Sequence, residues 1–234
     1  GLESVTATSV RILLDQTHFE NVTVNYSIIT ASTTADGSGT DYTLASGTAT
    51  ITAGQTSTTV SFSVVNDDID EPNETIGIQL SSPVYAVIGS NTSTLYTIID
   101  NDTAGVTITE SSGSTAVTEG GSTDSFTVVL TSQPTSTVQV LFSTSTNGLT
   151  LSTSTLTFTS SNWSSAQTVT VSATDDSVYE STHATSVAPT LSTTAYGYNA
   201  LSITPFTVTI TDNESSDITL SASTLSVTEG ASNT

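Results

Sequence analysis

Nine consecutive residues, Asn66 to Glu74 (NDDIDEPNE), carry five carboxylates: Asp67, Asp68, Asp70, Glu71 and Glu74. They follow directly on the apolar-alternating run TTVSFSVV, and a second acidic knot, Asp100-Asn101-Asp102, ends the run TLYTIIDND. Like charges crowded at strand ends repel one another unless a cation sits among them. With oxygen the only donor on offer, the chemistry is that of a hard cation, calcium above all. The spacing is not that of a helical EF-hand loop, since no Asp-x-Asp-x-Asp-Gly run occurs and nothing around the knots has a helical period.

The elements that must hold these carboxylates are strands. In NVTVNYSII, Val22, Val24, Tyr26 and Ile28 alternate with polar residues, the pattern of a half-buried strand. Strands are predicted over 5–14, 21–29, 47–53, 58–65, 77–80, 85–88 and 94–99, with Gly, Asp, Asn and Pro between them. Short strands at this spacing over roughly one hundred residues predict a β-sandwich of immunoglobulin type.

The second half repeats the first. Glu119 lies 116 residues after Glu3, and at the same offset Phe126 to Leu130 matches Val10 to Leu14 and Val138 to Phe142 matches Val22 to Tyr26. Further on, Thr168 to Ala173 ends at Asp175-Asp176 and Thr207 to Thr211 ends at Asp212-Asn213-Glu214, at offsets of 108 and 112. A third copy begins at Ser216, with Ile218, Leu220, Leu225 and Val227 leading to Glu229-Gly230. The fold class expected is all-β, tandem immunoglobulin-like Greek-key β-sandwiches. The domains expected are 1–102, lacking its opening strand, 103–214, and 215–234 as the first strand of a third repeat.

Composition narrows the function. Acidic side chains number 22 against one basic side chain, Arg11, for a formal net charge of −21, so nucleic acid and anionic membrane surfaces are poor partners. The recurring alternation of Val, Ile, Leu, Phe and Tyr argues for a folded chain over a solvated acidic tail. Without cysteine or lysine, neither disulfides nor Lys-Asn isopeptide bonds can staple the fold, which leaves metal. No apolar run approaches the roughly 20 residues that span a bilayer, and Gly1-Leu2-Glu3 opens without signal-peptide features, as in a mature product or an internal fragment. Catalysis is not expected: no Gly-x-Ser-x-Gly elbow or Asp-Thr-Gly appears, and His18 and His183 stand alone, suited to surface or packing roles. Trp163, leading into a strand, is expected to plug a core, with sugar stacking as its alternative.

The combination GTDYTLASGTATITAGQTSTTVSFSVVNDDIDEPNETIGIQLSSP with a closing YTIIDND resembles the Calx-beta domain over residues 3 to 102. Residues 103 to 214 are similar to divergent relatives that repeat in large bacterial and archaeal surface proteins, through NWSSAQTVTVSATDD, YESTH, YGYNA and TVTITDNE. The resemblance implies seven-stranded sandwiches with calcium (Ca2+) held by loop carboxylates at one end. Carried over, the first ligand set is Glu3, Asp41, Asp67, Asp68, Glu71, Asp100 and Asp102. The second is Glu119, Asp175, Asp176, Glu180, Asp212 and Glu214. That second set is thinner, because Gly148 falls where Asp41 would be and Glu180 is displaced by one residue relative to Glu71, so weaker binding, or none, is implied.

The function expected is a calcium-stabilised structural repeat of an extracellular or cell-surface stalk or filament. Its partner would be itself, either neighbouring repeats of the same chain or a head-to-tail homopolymer in which residues 217 to 228 of one subunit complete the first domain of the next. The alternative is a calcium-dependent adhesin or recognition module binding glycans or partner proteins. Without the ion, the short Asp-Thr-Ala-Gly connection is expected to let the two domains swing. Sequons at Asn21, Asn25, Asn91 and Asn162 are the expected glycan acceptors.

Overall fold

A computed structural model of the chain describes residues 1–37, 39–145 and 148–220. The first six strands are β1 (Ala7–Leu13), β2 (Val22–Ile28), β3 (Gly47–Ile51), β4 (Ser57–Ser63), β5 (Glu74–Val84) and β6 (Ser93–Ile98). They form a two-stranded sheet, β1-β4, facing a four-stranded one ordered β3-β2-β5-β6. Period-2 alternation turns Val22, Val24, Ile51, Val60, Phe62, Ile76 and Ile78 inward. Each such side chain contributes roughly 1.5–3 kcal/mol on burial.

Nine strands follow among the described residues: β7 (Val106–Glu110), β8 (Thr115–Thr118), β9 (Asp124–Leu130), β10 (Val138–Thr144), β11 (Leu149–Leu151), β12 (Thr155–Phe158), β13 (Gln167–Ala173), β14 (His183–Ser192) and β15 (Phe206–Thr211). They make a second sandwich of a four-stranded sheet, β11-β13-β9-β7, and a five-stranded one, β12-β10-β14-β15-β8, the last pair parallel. Phe126 meets Phe142 and Phe206 edge-on at centroid distances of 5.3 and 4.9 Å, and Trp163 packs against this core as a plug. The fold class is thus all-β, in tandem immunoglobulin-like sandwiches.

One sequence expectation needs correction. The strand predicted at 77–80 is longer, running as β5 from Glu74 to Val84, and 85–88, beyond its end, is not a strand. Between Thr23 and Asn25 of β2 the pairing with β5 jumps from Val84 to Ser81, a β-bulge; Ser82 (φ 47°) sits within it, and Tyr85 (φ 62°) in the left-handed region ends the strand. The inter-domain connection is held at several points. Ala104 is buried in the second core, Thr131 donates from its amide to the Gly105 carbonyl (2.9 Å) and from Oγ1 to the Thr103 carbonyl (2.7 Å), and the Gln133 amide donates to the Asp68 carbonyl at 2.6 Å. Of the expected third repeat, residues 221–234 lie outside the described residues.

Candidate metal centre

Strand direction gathers the carboxylates. β1 begins, β4 ends, β5 begins and β6 ends at one end of the first sandwich, so the loops bearing Glu3, Asp67, Glu71, Glu74 and Asp100 meet there. Glu3 is seated by its own backbone, its amide donating to the Ile99 carbonyl (2.9 Å), and its side chain is only 7% exposed. Glu3 Oε1 accepts from the Asp67 amide at 3.2 Å, while Asp67 Oδ1 accepts from the Ile69 amide at 2.8 Å. Asp100 Oδ2 accepts from the Glu71 amide (3.3 Å) and Oδ1 from the Asp102 amide (3.3 Å).

Two groups of oxygens result. Glu3, Asp100 and Asp102 place carboxylate oxygens within 4.8 Å of one another, and Asp41, Glu71 and Glu74 do the same. Asp67 acts electrostatically on both, on Glu3 and on Glu71. Asp68 is exposed and does not join either group; its carbonyl goes to Gln133. Glu74 was not in the expected ligand set, although it closes the same acidic run and, as the first residue of β5, is fixed by its pairing with Ile98. Asp36 is likewise outside that set. Its amide donates to Asp41 Oδ2, and its charge bears on Glu71 and Glu74.

The crowding raises these acids. Burial first, then the charges of Asp67, Asp100 and Asp102, push Glu3 to about 7 against the opposing Asp67 amide. Burial, a hydrogen bond with Asp41 and the charges of Asp41, Glu71 and Asp36 push Glu74 to about 8. Glu71 and Asp102 are raised for the same leading reason.

In the second sandwich Glu119, Asp212 and Glu214 form the counterpart of Glu3, Asp100 and Asp102, again within 4.8 Å. Glu119 is 5% exposed and its amide donates to the Thr211 carbonyl (3.0 Å), as Glu3 does to Ile99. The amides of Glu214 (3.0 Å), Glu180 (2.7 Å) and Ser181 (3.0 Å) hold Asp212 down to about 2, and the hydrogen bond to Asp212, with burial, pushes Glu214 to about 7. Asp175 Oδ1 accepts from Asn213 Nδ2 (2.8 Å); Asp176 and Glu180 act on Glu119 through their charges. Glu180 is not displaced relative to Glu71: each lies three residues before the first residue of its strand, His183 or Glu74, and each amide reaches the closing aspartate. The extra residue lies instead between Asp176 and Glu180. Among the described residues the Asp41-Glu71-Glu74 group has no counterpart, because Gly148 stands at Asp41 and His183 at Glu74.

Asp102 Oδ2, Glu119 Oε2 and Glu214 Oε2 are buried with no hydrogen-bond partner among the described residues. A buried carboxylate oxygen left unpaired is costly, and in all-oxygen, all-acidic surroundings a hard divalent cation is the partner whose chemistry fits. Of the four sequons, Asn21 and Asn91 are exposed, Asn25 Oδ1 accepts from Thr48 Oγ1, and Asn162 Nδ2 is engaged by the Thr157 carbonyl (3.2 Å). At the opposite end of the first sandwich His18 stacks on Phe19 and Tyr85 (4.7 and 5.5 Å), both aromatics well exposed.

The family model described as the Calx-beta domain matches residues 1–110 and again 100–214. Comparison with curated proteins gives no match. Among solved structures, the chain is similar to CBD12 from CALX1.2 (20% identity, 85% of this chain and 80% of that one, TM-score 0.41). It is similar also to the calcium binding domain CBD12 of CALX1.1 (19% identity, 81% and 75%, TM-score 0.42). The D0-D1 domain of intimin matches at 16% identity over 90% of this chain and 89% of that one, TM-score 0.29.

Proposed function

We propose, from the premise that the chain belongs to the Calx-beta domain family, that it is a calcium-stabilised structural repeat of an extracellular surface protein, in which the ion clasps the junction between tandem sandwiches. The observation that carries this is the orphaned Asp102 Oδ2, buried beside Glu3 and Asp100 two residues before Ala104 enters the second core. In the first sandwich Glu3, Asp100 and Asp102, with Asp67 beside them, would hold one ion, and Asp41, Glu71 and Glu74 a second. In the other sandwich Glu119, Asp212 and Glu214 would hold a third. Bound calcium supplies the positive charge that lets these carboxylates ionise together. The chain's own residues supply the rest: the amides of Asp67, Glu71 and Asp102 fix the carboxylate directions, and Gln133 and Thr131 fasten the loop to its neighbour.

Thermal melts in millimolar calcium and in chelator test this. Binding to the folded state alone stabilises by ~2.7 kcal/mol at a hundredfold excess over Kd, so the midpoint should rise; an unchanged midpoint counts against a stabilising ion.

A second reading, a calcium-dependent module recognising glycans, draws on the exposed His18, Phe19 and Tyr85 stack, whose flat apolar faces suit a sugar ring. Binding to a glycan array that is lost in a Phe19→Ala, Tyr85→Ala variant would favour it.

A further inference from the structure

The chain enters and leaves the second sandwich through neighbouring strands that run the same way. It comes out of the first sandwich at 103–105, where Thr131 holds the Thr103 and Gly105 carbonyls (2.7 and 2.9 Å) and Ala104 is buried. It then forms β7 in one sheet, crosses at Ser111–Gly113 to the other, and forms β8 at that sheet's edge beside β15, the last strand of the sandwich. β8 and β15 are parallel, with Thr115 opposite Val208, Val117 opposite Ile210 and Thr118 opposite Thr211. The Glu119 amide extends this ladder, donating to the Thr211 carbonyl at 3.0 Å.

Two carboxylates tie the crossover between β7 and β8. Asp124, the first residue of β9, accepts from the Ser111 hydroxyl, from the Ala116 amide (2.8 Å) and from the Ser125 amide (2.7 Å). Glu110 Oε2 accepts from the hydroxyl of the buried Thr115 at 2.7 Å. The Ser111 hydroxyl, then the Ala116 amide, hold Asp124 below the usual carboxylate range against the opposing effect of burial, so it grips as an anion. Both carboxylates lie outside the acidic groups at the strand ends.

A pull that draws 103–105 away from the residues beyond Thr211 drags β8 toward its start and β15 toward its end. Parallel neighbours drawn in opposite senses must slide, so every bond of the ladder carries load at once, whereas strands drawn apart from one end part bond by bond. Unfolding under force follows the unfolding barrier, and loading the whole ladder together raises that barrier. The crossover passes the load from β7 to β8, and the bonds to Asp124 keep it from straightening. We propose that the second sandwich is a force-bearing element, with β8 and β15 as a clamp loaded in shear and Asp124 as the latch of the crossover. This rests on the reading of the chain as a structural repeat, which supplies the tension, and does not require a bound ion.

The chain has no cysteine, so pairs of introduced thiols set the points from which a single molecule is pulled. Thr103→Cys with Ser216→Cys loads the clamp in shear and leaves the first sandwich outside the loaded path. Ser177→Cys with Ser216→Cys pulls instead on the start of β14 and the end of β15, which lie side by side with His183 opposite Ile210, and peels them apart. All three positions are exposed. In chelator and at one pulling speed, the 103/216 pair is expected to unfold the second sandwich at a severalfold higher force than the 177/216 pair. Asp124→Asn should lower the 103/216 force and leave the 177/216 force unchanged, which a merely structural role would not do. Equal forces in the two geometries, or an Asp124→Asn chain whose two forces are both unchanged or fall alike, overturns the proposal. The comparison is made without calcium, so its failure leaves the calcium proposal untouched, because that proposal is read from melting midpoints.

Discussion

The backbone amide of Gln133 donates to the carbonyl oxygen of Asp68 at 2.6 Å, joining a loop of the second sandwich to the acidic loop of the first. Around it, Ser132 is held by Tyr198, whose hydroxyl accepts from the Ser132 amide (3.1 Å) and donates to its carbonyl (2.7 Å) in a buried site. The junction is therefore built from backbone bonds on one side and carboxylates on the other.

Tyr198→Phe removes both contacts and leaves the buried Ser132 amide unpaired, which costs about 1–3 kcal/mol. Thermal melts should show a lower midpoint for the second sandwich. Small-angle scattering should show a wider spread of inter-domain distances, since Ser132 positions Gln133.

Gly197 has φ +72°, and a Cβ there would run into Asp70 Oδ2 and lie 2.6 Å from Ala104 Cβ. Gly197→Ala should cost about 1–2 kcal/mol from the left-handed backbone alone, and more from the contact with Asp70. The expected readout is a lowered midpoint with a junction that scattering shows to be splayed even in calcium.

Much of this junction was legible in the sequence, and its gaps have physical causes. Glu3 and Glu119 announce themselves by the repeat, and the closing aspartates by strand ends, because strand polarity alone brings those positions to one end. Glu74 sits in the same run, yet what qualifies it as a ligand is its pairing with Ile98 at the start of β5, a long-range fact that the sequence does not carry. That His183 replaces it in the second copy emerges only when strands, not loops, are aligned. Tyr85 to Ile88 (YAVI) is a short apolar run that reads as a strand, yet the bulge at Ser82 and the left-handed Tyr85 end the ladder before it. The parallel seat of β8 on β15 has no local signature at all.

Metal-free stability should fall as pH rises from about 5 to 8. Glu3 and Glu74, near 7 and 8 when folded against 4.5 unfolded, hold protons that the unfolded chain has released, so the folded state binds more protons across that window and loses stability as they leave. Asp212 is shifted the other way, and its contribution is lost only as pH falls toward 2, outside the window. Melts in chelator at pH 5, 6.5 and 8 check the slope; saturating calcium should reverse it.

Asp102→Asn and Glu3→Gln should have opposite effects with and without calcium. Removing one charge from the crowded group relieves repulsion in chelator, raising the midpoint modestly, and removes a ligand in calcium, shrinking the calcium-induced rise. A variant that lowers the midpoint equally in both conditions would point to packing instead.

The central claim is that the acidic ends hold calcium, and isothermal titration of calcium into the chelator-stripped chain at pH 7.5 tests it most directly. The account predicts saturable heat with more than one ion bound per chain, the count dropping in Asp102→Asn and, independently, in Glu119→Gln. Absence of saturable heat, with no calcium retained after equilibrium dialysis, would contradict it.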